Sequence, residues 1–437
     1  MLWIQRLKPA RDMATRQIDG GRPARERPGK LQIFGASLWM GVIGFGGGLS
    51  VLANIRRLIV DRRRWLTQRE FDNAVVVAQM LPGGASANAL AYTGLRFAGA
   101  TGALLAYVAF ILPGWMAVMV LAWAYVRFGT TPNVDAVLGG FNAAIVGIVV
   151  AITLRMVRSS VNRLWQMGIA SLALLMSALG SAPPFEIVLL GALLGIAADF
   201  GTKKLRLASV RRRHHADVAL PEEGQPLRSS VLKDRGSATT GGLQSPAAIV
   251  SLTAVLLLAV VPASLEMARL ALVFFRTGLG AYGGGFAIVP HLKGVMASTH
   301  WLSDRQFADA VAIGKLTPGP VLLLATFIGY VRGGPLGATV ATVAILGGPF
   351  VLMLLVGTWL DRLRSRRAVR SALRGLTPAV VGLMAGAAIA LGSGLGGETE
   401  VVIAAAVALT LGRFSIDPVL LLALGGVARF GLRVAGV

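Results

Sequence analysis

Apolar residues run through this chain in long stretches parted by short polar ones. They fall at 34–60, 71–95, 97–127, 136–157, 164–180 and 184–200. After a polar segment at 201–245 they resume at 246–263, 268–292, 305–330, 336–360, 371–395, 398–412 and 416–433. About 20 apolar residues make a helix that crosses the hydrocarbon of a bilayer, so the pattern predicts an all-α polytopic integral membrane protein. Four stretches are interrupted: 34–60 by Gly46-Gly47-Gly48, 71–95 by Pro82-Gly83-Gly84, 268–292 by Gly283-Gly284-Gly285, and 305–330 by Pro318-Gly319-Pro320. Proline removes a backbone donor and glycine lowers the cost of leaving helical geometry, so each interruption predicts a broken helix.

The interruptions are copies of one another. Trp65-Leu66-Thr67, Arg69, Phe71 and Pro82-Gly83 match Trp301-Leu302-Ser303, Arg305, Phe307 and Pro318-Gly319 without a gap. The match continues through Gly94 and Arg96 with Gly329 and Arg332, Gly102 with Gly337, and Pro113 with Pro349. The stretch from Ala136 to Gly147 resembles that from Ser371 to Gly382. Paired helix breaks in duplicated halves are the sequence feature that best marks a transporter's binding site.

Composition agrees with the apolar pattern. Hydrophobic residues make up 55% and charged residues 14%, against about 25% charged in soluble chains, and mean hydropathy is +0.68. The net charge of +23 lies in a few loops between apolar stretches. That is the mark of cytoplasmic loops and not of nucleic-acid binding. The Arg-rich segment up to Lys30 is no signal peptide and is expected in the cytoplasm. Arg155, Arg158 and Arg163 form one basic turn, and Arg362, Arg364, Arg366, Arg367, Arg370 and Arg374 another. The cluster Arg56, Arg57, Arg62, Arg63, Arg64 and Arg69 would face outward if 34–60 crossed fully.

Re-entrant hairpins remove that conflict, because half a broken stretch, ~15 Å of helix, reaches only the midplane. Two tilted, kinked spans are the alternative. On either count an odd number of crossings separates the two copies, so the halves are expected to be inverted. The expected organisation is a cytoplasmic tail at 1–33, a first transmembrane half at 34–200, a cytoplasmic linker at 201–245 and a second half at 246–437. In the second half 246–263 is the extra helix that flips the orientation.

Several chemistries are excluded. With no cysteine there are no disulfides, thiolate metal sites or iron–sulfur clusters. His214, His215, His291 and His300 are too scattered for a metal centre. No phosphate-binding Gly-x-x-x-x-Gly-Lys-Ser/Thr loop is present, so the transport expected is secondary. A membrane hydrolase lacks a nucleophile with an adjacent base. No cofactor and no metal are expected.

The runs Gly44–Gly48, Trp65-Leu66-Thr67, Leu81-Pro82-Gly83 and Ala91–Arg96 resemble one domain of the chromate ion transporter (CHR) family. So do Tyr282–Gly285, Trp301-Leu302, Thr317–Pro320 and Gly329-Tyr330 in the second half. The resemblance covers both halves and implies a bacterial inner-membrane protein with inverted halves that exports chromate. Two departures stand out: Pro82-Gly83-Gly84 replaces Pro-Gly-Pro in the first half, and the first half lacks the histidine that many members carry after the glycine motif.

A tetrahedral oxyanion held at the midplane needs donors and positive potential, which helix N-termini and close backbone approach supply. Gly46, Gly47, Gly48, Gly283, Gly284 and Gly285 are the candidates for backbone coordination; close helix packing is the other use of such glycines. Lys315, just before Thr317-Pro318-Gly319, is a cation at a hairpin tip, a functional position by default. Gln79, its counterpart, and Arg276, Ser86 and Asn88 are candidate donors beside Pro82 and Gly83. Arg96 and Arg332 are expected to anchor hairpin ends. Asp309 is expected to pair with Arg305 one turn away, leaving no deep carboxylate. The expected partners are chromate or a sulfate-like oxyanion and the lipid bilayer, with a homodimer left open. The alternatives in function are transport of sulfate or another oxyanion and an anion channel.

Overall fold

The computed structural model describes residues 27–45, 48–129, 131–180, 182–213, 264–357, 367–414 and 416–435. Gly46, Gly47, most of the basic tail, His214, His215, most of the linker, the helix expected at 246–263, and Arg362, Arg364 and Arg366 lie outside them. The described residues form fourteen α-helices and no strand. The first half contains α1 (Lys30–Ile43), α2 (Gly48–Arg56), α3 (Gln68–Met80), α4 (Ala85–Phe128), α5 (Pro132–Ser160), α6 (Leu164–Ala178) and α7 (Pro184–Arg213). The second contains α8 (Leu265–Leu279), α9 (Val289–Thr299), α10 (Asp304–Leu316), α11 (Leu324–Gly357), α12 (Arg367–Gly392), α13 (Glu398–Arg413) and α14 (Pro418–Val434). Helices long and apolar enough to cross a membrane are Ala85–Phe128, Pro132–Ser160, Val321–Gly357 and Ala368–Gly392. This is a multi-pass membrane protein. Helix α7 runs to Arg213, so the beginning of the segment read as a connector is helical.

Two of the long helices are not single rods. Residues eight apart in a straight helix are ~12 Å apart, yet a Cβ on Gly94 would lie 2.3 Å from the Gly102 carbonyl oxygen. Thr326 and Thr342, which a straight helix would hold ~24 Å apart, share a 2.7 Å hydroxyl hydrogen bond. The chain therefore doubles back inside α4 and α11. The reversals sit at Ala98-Gly99 and Gly333-Gly334, where Gly99 (φ 64°) and Gly334 (φ 60°) take left-handed conformations open to glycine. The small faces of Gly94, Gly102, Gly329 and Gly337 let the two arms touch along their backbones. Just before each reversal an arginine ties the short arm down. Arg96 bonds Glu70 at 2.6 Å, and Arg332 pairs with Glu266.

The reversals fix the lengths of the pieces around the breaks. Helices α1, α3, α8 and α10 have 13 to 15 residues, roughly 20 Å each, too short to cross ~30 Å of hydrocarbon. The short arm 85–97 of α4 is no longer. Capping boxes set the outer ends of α3 and α10. Thr67 Oγ1 accepts from Glu70 N–H (3.1 Å) and Glu70 Oε2 from Thr67 N–H (2.7 Å); Ser303 and Gln306 repeat this at 3.2 and 3.0 Å. In the first half α2 widens into a π-helix over Arg57–Arg62.

The halves are joined by exchange. Helix α5 of the first half packs along α13 and α14 of the second, and α12 of the second packs along α6 and α7 of the first. Glycines bring the backbones together. A Cβ on Gly140 would lie 2.2 Å from the Gly425 carbonyl oxygen and one on Gly147 2.3 Å from that of Ala404. The copies of these pairs repeat it: Gly375 against Gly191 at 2.1 Å and Gly382 against Ala170 at 2.2 Å. Reciprocal contacts, in which i meets j′ and i′ meets j, are the signature of a two-fold relation.

The reversal glycines offer a direct test. Gly94→Ala or Gly329→Ala pushes a methyl into backbone, and each is expected to cost on the order of 1–3 kcal/mol, read as a lower thermal midpoint in detergent. Gly347→Ala, where a Cβ meets nothing within 4 Å, is expected to leave the midpoint unchanged.

Candidate functional site

Helices α3 and α10 stop at Leu81 and Thr317, both in extended geometry, because the following prolines disfavour helix at the preceding residue. Gly83 (φ 99°) and Gly319 (φ 105°) then turn through left-handed conformations. The two turns meet, since a Cβ on Gly84 would lie 2.9 Å from Pro320 Cβ. Each also presses on the other half: a Cβ on Gly83 would stand 2.8 Å from Pro349 Cβ, and one on Gly114 2.0 Å from the Pro318 carbonyl oxygen.

The glycine breaks come to the same place. Gly83 N–H donates to the Ala281 carbonyl at 2.7 Å, and Gly319 N–H donates to the Gly44 carbonyl at 3.1 Å. Gly44 and Ala281 each stand two residues before their triple glycine. The Pro-Gly break of each half is thus bonded to the glycine break of the other, and four broken helices converge.

The inner helix starts are left uncapped by side chains. Gly84 before α4, Tyr282 before the 3-10 turn Gly283–Ile288 and Pro320 before the 3-10 turn Val321–Leu323 make no side-chain cap bond. The positive ends of these inner helix starts meet at the convergence, where they suit an anion, beside the C-terminal ends of α1, α3, α8 and α10. At the outer ends of α3 and α10 the capping boxes already engage N–H groups of the first turn.

Among the candidate side chains, Lys315 is placed best. It is 7% exposed, at the inner end of α10, with Nζ 6.0 Å from the centre of the Phe286 ring in the glycine-rich turn. Among the described residues it has no hydrogen-bond or ion-pair partner, and Asp417 at the start of α14 acts on it through space. Gly285 (φ 93°) is buried, and Gly283 (φ 63°) faces Val380 and Met384 across 2.7 and 3.2 Å of would-be Cβ contact. Gly284 belongs to the same 3-10 turn. Gly48 opens α2, exposed, and a Cβ there meets nothing within 4 Å, so helix packing does not account for it.

Other candidates are committed elsewhere. The Asn88 amide donates to the Ala78 (3.3 Å) and Pro82 (2.9 Å) carbonyls, capping the end of α3, so its donors are spent. Ser86 Oγ donates to the Gly48 carbonyl (3.2 Å), and Thr317 Oγ1 to that of Ile313 (3.1 Å). Gln79 is exposed near the end of α3. Arg276 lies on the exposed side of α8, away from the buried convergence; an expectation based on segment position could not tell one face of that helix from the other.

Asp309 corrects the sequence reading outright. It does not pair with Arg305, whose guanidinium reaches Asp135 on α5. Asp309 is 1% exposed and accepts from Tyr125 Oη at 2.9 Å and Asn142 Nδ2 at 2.8 Å, both from the first half. A neighbour on the same helix was displaced by a better-placed carboxylate from another. The signal lay in the repeat, where position 309 answers to Asn73 as Lys315 answers to Gln79.

With this geometry in view, the comparison with known proteins is decisive. The profile described as chromate transporter matches residues 31–196 and again 268–430. The chain belongs to the chromate transporter family. The two matched regions of this family member each contain one glycine break and one Pro-Gly break. A probable chromate transport protein of Synechococcus elongatus is 29% identical over 81% of this chain and 82% of its own. The chromate transport protein of Cupriavidus metallidurans is 29% identical over 81% of this chain and 80% of its own, and that of Pseudomonas aeruginosa 28% over 82% and 80%. No solved structure matches.

For this chromate transporter family member, alanine scanning separates strain from ligand binding. Gly83→Ala and Gly319→Ala are each expected to destabilise by about 1–3 kcal/mol through their left-handed backbone. Gly48→Ala is expected to leave the melting curve unchanged and to lower anion binding, measured by titration of the purified protein.

Proposed function

We propose that this protein carries chromate out of the cytoplasm across the bacterial inner membrane by alternating access, and so confers chromate resistance. The observation that carries the reading is the convergence of four helix breaks, bonded crosswise between the halves, beside a buried lysine that has no hydrogen-bond or ion-pair partner among the described residues. Chromate is a dianion at neutral pH, and uncapped N–H groups with a fixed ammonium replace the water it sheds. The family and the relatives named as chromate transport proteins support the choice of anion.

In this reading the halves are inverted, with the tail, the linker and the basic clusters in the cytoplasm. The broken helices enter as hairpins from opposite faces, which their length of roughly 20 Å favours. Exchanging the conformations of two inverted halves exchanges inward- and outward-facing states around a fixed site.

Uptake of labelled chromate into inverted vesicles tests the site. Lys315→Ala is expected to lower initial uptake by at least about tenfold, the loss of one charge-assisted contact in a dry site; unchanged uptake would remove the lysine from the site. Sulfate in excess is expected to compete. The cysteine-free sequence makes topology equally testable. Arg63→Cys is expected to react with an impermeant maleimide only from the cytoplasmic face, and labelling from outside would rule out the hairpin.

A further inference from the structure

Asp309 is a buried carboxylate that anion binding does not use, and its surroundings are built for two protonation states. Its two oxygens accept from Tyr125 on α4 and Asn142 on α5, so it joins the second half to the first. The charged or titratable groups that face it are Tyr125 on α4, Asp135 on α5 and Arg305 on its own helix, the last two paired with each other. On the other elements packed against α10 the charged groups are engaged elsewhere. Lys293 on α9 reaches Asp304, the Ala390 carbonyl and Ser393, and Asp417 caps α14 and acts on Lys315. Phe327 of α11 stacks edge-on against Tyr125 at 4.9 Å and offers no charge.

Asn142 supplies a second, independent observation. Its Nδ2 is used on Asp309, while its Oδ1 is buried with no hydrogen-bond partner. An orphaned buried acceptor is costly and calls for an explanation. Half a turn of the amide presents that oxygen to Asp309, where it accepts an O–H as soon as the carboxyl carries a proton. Tyr125 goes on donating to the other carboxyl oxygen. One rotation therefore serves both forms of the acid without a change in packing. No further oxygen ligands surround the carboxylate among the hydrogen bonds described, which suits a proton and not a metal cation.

We propose that Asp309 is the coupling residue of this transporter, taking up one proton when the anion binds beside Lys315 and giving it up when the anion leaves. The inference rests on the transport reading above. Lys315 lies six residues further along α10, ~9 Å along the axis, and charges interact over such distances in a low dielectric. A dianion arriving at Lys315 adds negative charge near Asp309 and favours its protonated form; by linkage, the proton favours the anion. The proton comes from water on one side and leaves to water on the other, with no bond made or broken beyond O–H. One net negative charge still moves per chromate, so an inside-negative potential favours export while an acid exterior opposes it. The first half cannot duplicate the device, because the matching positions are the neutral Asn73 and Gln79. Coupling is thus confined to one half.

The test uses the full chain in proteoliposomes with the membrane potential clamped. For the natural sequence, an acid exterior is expected to drive accumulation of labelled chromate, and chromate–chromate exchange is expected without a gradient. Asp309→Asn, the residue type that already stands at the equivalent position of the first half, is expected to keep exchange and lose pH-driven accumulation. Accumulation that survives in Asp309→Asn overturns the assignment. Exchange without any response to pH in the natural sequence overturns it too, while leaving chromate transport intact; absence of exchange removes the transport reading itself. If Asp309→Asn loses exchange as well, Asp309→Glu decides. Recovery of exchange and accumulation together supports a titrating role. Recovery of exchange alone, or of neither, assigns Asp309 to packing and overturns the proposal.

Discussion

A helix that stops in a buried interior leaves backbone N–H and C=O groups where no water can receive them, and in this protein four helices stop at one place. The rest of the structure follows from how those groups are satisfied. Irregular backbone at such depth persists only when it is buried in protein or lines a cavity, and here the freed groups find one another. Gly83 bonds Ala281 and Gly319 bonds Gly44, so neither half can complete its own break. Asn88 takes two more carbonyls at the end of α3. The starts of the inner helices carry no side-chain cap, and their positive ends suit a negatively charged ligand.

Close approach makes the crossing possible. Backbone-to-backbone contacts at Gly94–Gly102, Gly329–Gly337, Gly140–Gly425 and Gly375–Gly191 leave no room for a Cβ. Lipid gives helices no hydrophobic reason to associate, so small residues that bring backbones into van der Waals contact carry much of the packing. The abundance of glycine, 55 residues in all, is thereby divided between two uses. Some glycines permit contact between straight helices, and a few, such as Gly83, Gly99, Gly319 and Gly334, hold left-handed turns that other residues resist.

Much of this was legible in the sequence. The apolar stretches located the helices, and a split at residues 95–97 anticipated the reversal inside α4 that its unbroken helical pattern conceals. The repeat located the breaks and singled out Lys315. What the sequence could not supply was the choice of partner across elements. Helical spacing makes Asp309 and Arg305 neighbours, yet Asp135, far off in sequence, is the better-placed partner of Arg305. Arg276 shares a segment with the glycine break, and the rotation of α8 sets it on that helix's exposed side. Asn88 was credited with a free donor that the break itself consumes. Exchange of packing partners between the halves leaves no trace in hydropathy, since both surfaces are equally apolar.

That exchange has a consequence for how the chain comes into being. Helix α5 emerges from the ribosome early, but the helices that cover it, α13 and α14, are made much later in the chain. For most of synthesis the glycine-lined face around Gly140 and Gly147 must therefore rest against lipid or a transient neighbour. The first half cannot mature as a finished unit and then receive the second. Assembly is committed only when α13 and α14 have entered the membrane, and a nascent chain that stops short of α13 leaves α5 without its proper cover.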